Sequence, residues 1–237
     1  MTDYCLYGVP VTTDFDLFGR DVPMGAQAPG EHPAVHLRES TSASGSADSI
    51  RRIPLFTTHG RELFLCTDRD LAASAAGQPW SLEVVDVVTL AWTGGDSTID
   101  YTLHAQGSRE LLVFWFVHIF LPLHLTLEHG YDFIHASAVN IDDKPVLFVA
   151  PSTGGKSTLG DYFLKQGHAM LSDDKVATFP HEGDYWVAPS HPHHRPFREF
   201  EVLGNPVEHF ADRPRPAHAF YALEAAEPDS DVDITEI

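Results

Sequence analysis

The stretch that most constrains this 237-residue chain runs from Pro145 to Thr158. Its first part, Pro145–Ala150, is a short run without charge, of the kind that lies buried in a sheet. Pro151-Ser152-Thr153-Gly154-Gly155 breaks that run, and a helix is expected from about Lys156. Leu159, Tyr162 and Phe163 fall at i, i+3 and i+4 and give this helix one buried face, and Gly167 ends it at the C′ position. A second strand, Ala169–Ser172, then delivers Asp173-Asp174 at its carboxyl end. Strand, glycine loop, helix, strand and acidic pair make up the P-loop arrangement, which predicts an α/β fold.

The loop wording carries chemistry. The phosphate-binding pattern is G-x-x-x-x-G-K-[ST]; here Ala150 stands for the first glycine and Gly155-Lys156-Ser157-Thr158 completes it. Alanine is a mild departure, asking only that its position not need positive φ. Gly154 and Gly155 let successive N–H groups converge on one concave site, and the helix N-terminus adds about half a positive charge in the same direction. The eight residues Pro151, Ser152, Thr153, Gly154, Gly155, Lys156, Ser157 and Thr158 are therefore the expected ATP cradle. Lys156 would reach the β- and γ-phosphates and the Ser157 hydroxyl would ligate Mg2+. The acidic pair supplies what the loop lacks, because phosphoryl transfer needs one carboxylate at the metal and another at the acceptor hydroxyl. Adjacent residues at a strand end point to opposite sides, so the two aspartates cannot share one job.

The remaining sequence is read more coarsely. Residues 1–108 form a β-rich N-terminal region with strands expected at Tyr4–Val11, Pro33–Arg38 and Ser81–Leu90 and a hairpin around His59-Gly60. Glu39–Ser49 is small and polar, a loop or hairpin tip, and Gly94-Gly95-Asp96 marks a turn. Residues 109–237 form the ATP-binding region. It opens with Leu111–Leu127, 17 residues without a formal charge, at the short limit for a membrane span of about 20. Arg109, Glu110 and Glu128 bracket it, so a buried helix kinked or interrupted near Pro122 is expected. Gly130 stops that helix, Phe133–Asn140 reads as a strand, and Asp142-Asp143-Lys144 turns it back into Pro145–Ala150. His135 by itself reads as a core histidine bonded to backbone. The run His191-Pro192-His193-His194 has the look of a metal site, yet adjacent histidines with prolines do not easily converge on one ion. Arg195 and Arg198 read equally as anion contacts or surface residues.

Composition excludes some partners. A net charge of -19 repels phosphate backbones and anionic lipid, so neither nucleic acid nor a membrane surface is an expected partner. A protein or peptide with basic patches would be steered toward it. Cys5 and Cys66, the only two cysteines, provide neither a disulfide framework nor a thiolate zinc site and read as reduced, buried thiols. The N-terminus lacks a basic segment followed by an apolar one, which predicts a cytoplasmic location.

The pattern resembles that of HPr kinase/phosphorylase and the wider set of bacterial HPr-kinase-like proteins. It is carried by His135-Ala136-Ser137-Ala138-Val139, Ala150 to Thr158, Gly167-His168 and Leu171-Ser172-Asp173-Asp174. The intervals, 21 residues from His135 to Lys156 and 17 from Lys156 to Asp173, are similar to the family's. The resemblance covers about residues 110 to 190, and its wording is closer to the divergent subgroup, some members of which phosphorylate serine in a precursor peptide. It implies a P-loop kinase domain of HPr-kinase type that uses ATP and Mg2+ to phosphorylate a serine hydroxyl of a protein or peptide. Asp173 would activate the acceptor and Asp174 would hold Mg2+ with Ser157, or the two would take these roles in the reverse order, and His135 would tune or orient the pair. Homo-oligomers are known in the family, which makes self-association a further expectation. No Glu-x-Arg-Gly segment follows residue 190, which speaks against the reverse, phosphorylase activity, and the chain ends at Ile237, where relatives continue. Two other readings fit the same residues: a non-catalytic ATP-binding sensor and a small-molecule kinase.

Overall fold

The computed structural model describes residues 1–19, 25–30, 34–40, 51–58, 60–68, 76–195, 201–224 and 234. The fold is mixed α/β. Eight strands form the first sheet: β1 (Thr2–Leu6), β2 (Val9–Thr13), β3 (Val35–Glu39), β4 (Arg51–Thr58), β5 (Arg61–Thr67), β6 (Trp80–Val84), β7 (Val88–Trp92) and β8 (Thr98–Leu103). They lie in the order β1-β2-β3-β8-β7-β6-β5-β4, antiparallel except where β3 pairs its two neighbours. Side chains alternate in and out along most of these strands, so Val9, Val11, Leu63, Leu65, Leu82, Val84, Val88 and Leu90 all reach the same buried face. Two segments that read as single strands are hairpins. Tyr4–Val11 reverses at Tyr7-Gly8, both at positive φ (56° and 78°), and Ser81–Leu90 reverses around Asp86 at φ 63°. Tight hairpins need positive φ, and a tyrosine or a lone aspartate gives little warning of it. Residue 59 at the expected hairpin tip, and 41–49 of the expected polar loop, lie outside the described residues.

The buried face is covered by one long helical segment, α1 (Arg109–Trp115), a π-helical turn (Phe116–Phe120) and α2 (Leu121–His129), which ends at Gly130 in the left-handed conformation (φ 69°). By length and composition this helix could cross a membrane, yet 67% of its apolar window is buried inside the protein. Leu112, Phe116, Phe120, Leu121 and Leu125 are fully enclosed, and Phe120 stacks on Trp80 at 4.7 Å. The expected interruption near Pro122 is the π turn itself. Leu121 N–H bonds five residues back to Phe116 O, and Pro122 has no N–H for the next carbonyl in either register. The two carbonyls so released are taken by side chains: Tyr7 Oη donates to Val117 O (3.2 Å) and Lys175 Nζ donates to His118 O (2.6 Å). One of these donors comes from the first sheet. The other directly follows the aspartate pair.

The second half holds two four-stranded sheets. Strands β9 (Asp132–Ile134), β10 (Ala136–Ile141), β11 (Lys144–Val149), β12 (Ala169–Ser172), β13 (Val176–His181), β14 (Asp184–Ala188), β17 (Arg215–Pro216) and β18 (Ala219–Ala222) build the orders β12-β10-β11-β18 and β17-β14-β13-β9, and the short strands β15 (His193–His194) and β16 (Asn205–Pro206) pair with each other. The single strand expected at Phe133–Asn140 is two. It breaks at His135, because β9 pairs with β13 whereas β10 pairs with β11 and β12. Helix α3 (Lys156–Lys165) lies over β10 and meets it through Gly160, where a Cβ would stand 2.5 Å from Ser137 Oγ. Leu159 and Phe163 pack inward as expected, but Tyr162 is 55% exposed, so the buried face is narrower than the spacing suggested. Cys5 and Cys66 are free and half-buried rather than enclosed.

Candidate functional site

A cleft of about 330 Å3 opens at the carboxyl ends of β11 and β12, lined by residues 153–158, His135, Asp173, Asp174 and Arg195. Its floor is the loop between β11 and α3. Thr153 (φ 69°) and Gly155 (φ 88°) both adopt left-handed backbone, which curls the loop. Gly154 N–H bonds Pro151 O at 3.0 Å and closes the curl. A Cβ on Gly154 would stand 2.7 Å from the Ala150 Cβ. The glycine at 154 is thus what lets alanine occupy the place of the pattern's first glycine. This is a cradle that a side chain would fill, and it sits at the N-terminus of a ten-residue helix. Both features suit a phosphate group.

Lys156 opens α3 and is 6% exposed. Its ammonium group lies across the loop and donates to Ala150 O (2.8 Å) and Pro151 O (3.1 Å). Ser157, one residue on, donates through Oγ to Asp173 Oδ1 at 3.2 Å. The two aspartates differ as their adjacency requires. Asp173 is buried, its side chain 4% exposed, and its Oδ2 accepts the Arg195 N–H at 3.0 Å with His194 Nε2 at 3.7 Å. Asp174 turns outward at φ 74°, with Oδ1 3.1 Å from His135 Nδ1 and Oδ2 accepting from Arg195 Nη2 at 3.2 Å. His135 Nδ1 also lies 3.1 Å from the Asp174 carbonyl. With 47% of its side chain exposed, His135 is a cleft residue rather than a core one.

The sequence reading missed the contribution of the segment after β14. Ser190 N–H bonds Leu171 O at 2.9 Å, so Pro189–Arg195 runs alongside β12 and carries His194 and Arg195 onto the acidic pair. Arg195 lines the cleft, which decides between the two readings left open for it; Arg198 lies outside the described residues. Among the described residues no group of three or more His, Cys, Asp or Glu side chains is arranged to hold an ion, and the rings of the histidine run do not converge on one point. Instead His191 stacks on Phe18 (6.2 Å) and meets His118 edge-on (5.0 Å). Burial holds both imidazoles neutral, pushing His191 down to about 3 and His118 well below its ordinary value.

No protein-family profile matches the chain, and no curated protein matches it. Among solved structures, the HPr(Ser) kinase/phosphatase from Coxiella burnetii is 25% identical over 24% of this chain and 37% of that one, with a TM-score of 0.23. Superposition that poor leaves the reading of the site to rest on its own geometry.

Proposed function

We propose that this protein is an ATP-dependent kinase that transfers the γ-phosphoryl group to a serine hydroxyl of a protein or peptide. The observation that carries this reading is the contact of Ser157 Oγ with Asp173 at the foot of a curled, glycine-bearing loop, beside a second carboxylate facing the open cleft. In P-loop enzymes a loop hydroxyl and a strand-end aspartate together hold the magnesium ion. Ser157 and Asp173 have the chemistry for that, and bound Mg2+ would supply charge neutralisation at the phosphates. Of the two orders that the family resemblance allows, this is the one with Asp173 at the metal and Asp174 as the base. Asp174, oriented by His135, is left to take the proton of the acceptor hydroxyl while that oxygen bonds to phosphorus and the bond to ADP breaks. The N-terminal amides of α3 and Lys156 would hold the phosphates, Lys156 exchanging two neutral carbonyls for charged oxygens.

A second reading has one observation in its favour. Both oxygens of Asp174 are already engaged, by His135 and Arg195, and the lysine is engaged too. A protein that holds ATP and signals without turnover would look the same. Calorimetry with magnesium and ATP tests both: binding is expected for the native protein and a loss of about 100-fold or more for Lys156→Met. Heat that does not depend on Lys156 would overturn them together. Label from γ-labelled ATP on a serine of a co-incubated peptide separates kinase from sensor.

A further inference from the structure

We infer that Arg195 is a catalytic residue of the proposed transfer, contacting the γ-phosphoryl group as it moves; this rests on the kinase reading above. Three observations converge on it. The guanidinium lines the same cleft as the phosphate loop and is, with Lys156, one of two permanent cations among the lining residues, set against two carboxylates. The lining therefore carries no net charge from these four groups, whereas magnesium-bound ATP brings about two negative charges that spread over the equatorial oxygens in the transition state. The guanidinium is also incompletely used. Nη2 donates to Asp174 Oδ2 at 3.2 Å, but Nη1 is buried and has no hydrogen-bond partner among the described residues. A buried charged donor without an acceptor is costly, and a phosphoryl oxygen beside the carboxylate would remove that cost with the paired geometry that guanidinium favours. Finally, Arg195 is tied to the reacting groups at both ends. Its backbone N–H holds Asp173 Oδ2 at 3.0 Å while its head group holds Asp174. Its position therefore follows that of the acidic pair, and drawing the head group toward phosphate frees one oxygen of Asp174 for the acceptor proton.

The test needs no acceptor. Binding of Mg·ADP is compared with binding of Mg·ADP plus aluminium fluoride, a planar mimic of the transferred phosphoryl group, in the native protein and in Arg195→Ala and Arg195→Lys. The native protein is expected to bind the fluoride complex about 100-fold or more tightly than Mg·ADP alone. Arg195→Ala should keep its Mg·ADP affinity within about threefold and lose most of that advantage, with Arg195→Lys in between. Circular dichroism checks folding, and Arg195→Lys decides if the alanine variant does not fold. Undiminished preference for the fluoride complex in the variants, or no preference in the native protein, overturns the inference while leaving the nucleotide site intact. Failure of the native protein to bind Mg·ADP removes the underlying kinase reading instead.

Discussion

The eight-stranded sheet with its helix and the two smaller sheets are held together in different ways. The first buries large side chains in quantity: Trp80, Trp92, Trp115, Phe116, Phe120 and ranks of Leu and Val, with few polar groups among them. The second keeps two small clusters, built mostly of Ala, Val and Leu, and buries Lys156, Asp173, Ser172 and His194, with His191 and His193 set against Phe18 of the first. Apolar burial stabilises by roughly 1.5–3 kcal/mol per large side chain and is indifferent to direction. A buried polar group has to be satisfied at a set distance, and each one costs stability when it is not. Apolar burial is thus concentrated away from the candidate site, and the proposed chemistry occupies the part with little apolar mass of its own.

Three substitutions or conditions test this division. The largest effect belongs to the polar part and should leave the fold alone. Asp174→Asn is expected to slow phosphoryl transfer by up to about 10^4-fold with nucleotide affinity retained, measured as single-turnover label transfer beside calorimetry. Equal loss of nucleotide binding would instead assign Asp174 to the metal. Phe120→Ala addresses the apolar part. It should cost about 3–5 kcal/mol in denaturant unfolding, and below that transition the remaining folded protein should bind Mg·ATP as before. A variant that is stable yet binds nucleotide weakly would show that the two parts are not separable in this way. The smallest effect concerns acid. His191 in the polar segment and His124 on the helix are both pushed down to about 3 by burial, whereas unfolded histidine titrates near 6.5. Between those values the unfolded chain binds more protons, so stability falls as pH falls below about 6.5, approaching about 1.4 kcal/mol per pH unit for each histidine. His191→Asn and His124→Asn should each flatten the dependence of melting temperature on pH between 7 and 5. An unchanged slope in either would mean that ring is hydrated.

What the sequence disclosed followed locality. The loop from Ala150 to Thr158, α3 and the acidic pair are contiguous, and each local choice of residue agrees with the next, so their elements could be read directly. The turn at Asp142-Asp143 was legible for the same reason, both residues sitting at positive φ (49° and 63°) as their type allows. Misreadings occurred where the deciding contact is distant. Nothing near His135 announces that β9 and β10 join different sheets; the reversal at Val85-Asp86-Val87 is local instead, hidden by the alternation in Ser81–Leu90 because its positive φ falls on a lone aspartate. Arg195 could not be assigned because its place depends on the pairing of Ser190 with Leu171, 19 positions upstream. The order of aspartate roles proposed above rests on a single distance, Ser157 to Asp173, which spacing alone does not contain.

The proline in the long helix has one more consequence. Because Pro122 leaves a carbonyl without a backbone donor and Lys175 fills it, the turn that bears the two aspartates is bolted to the helix sealing the largest core. That lysine is itself half-buried, burial lowers its proton affinity, and releasing it would leave the carbonyl without a donor. The heavy sheet therefore serves as a fixed bench for the small turn that carries the acidic pair, and the defect in the helix is the bolt hole. Positions 122 and 175 form one joint: the proline withholds a donor from the helix, and the lysine supplies one from the acidic turn.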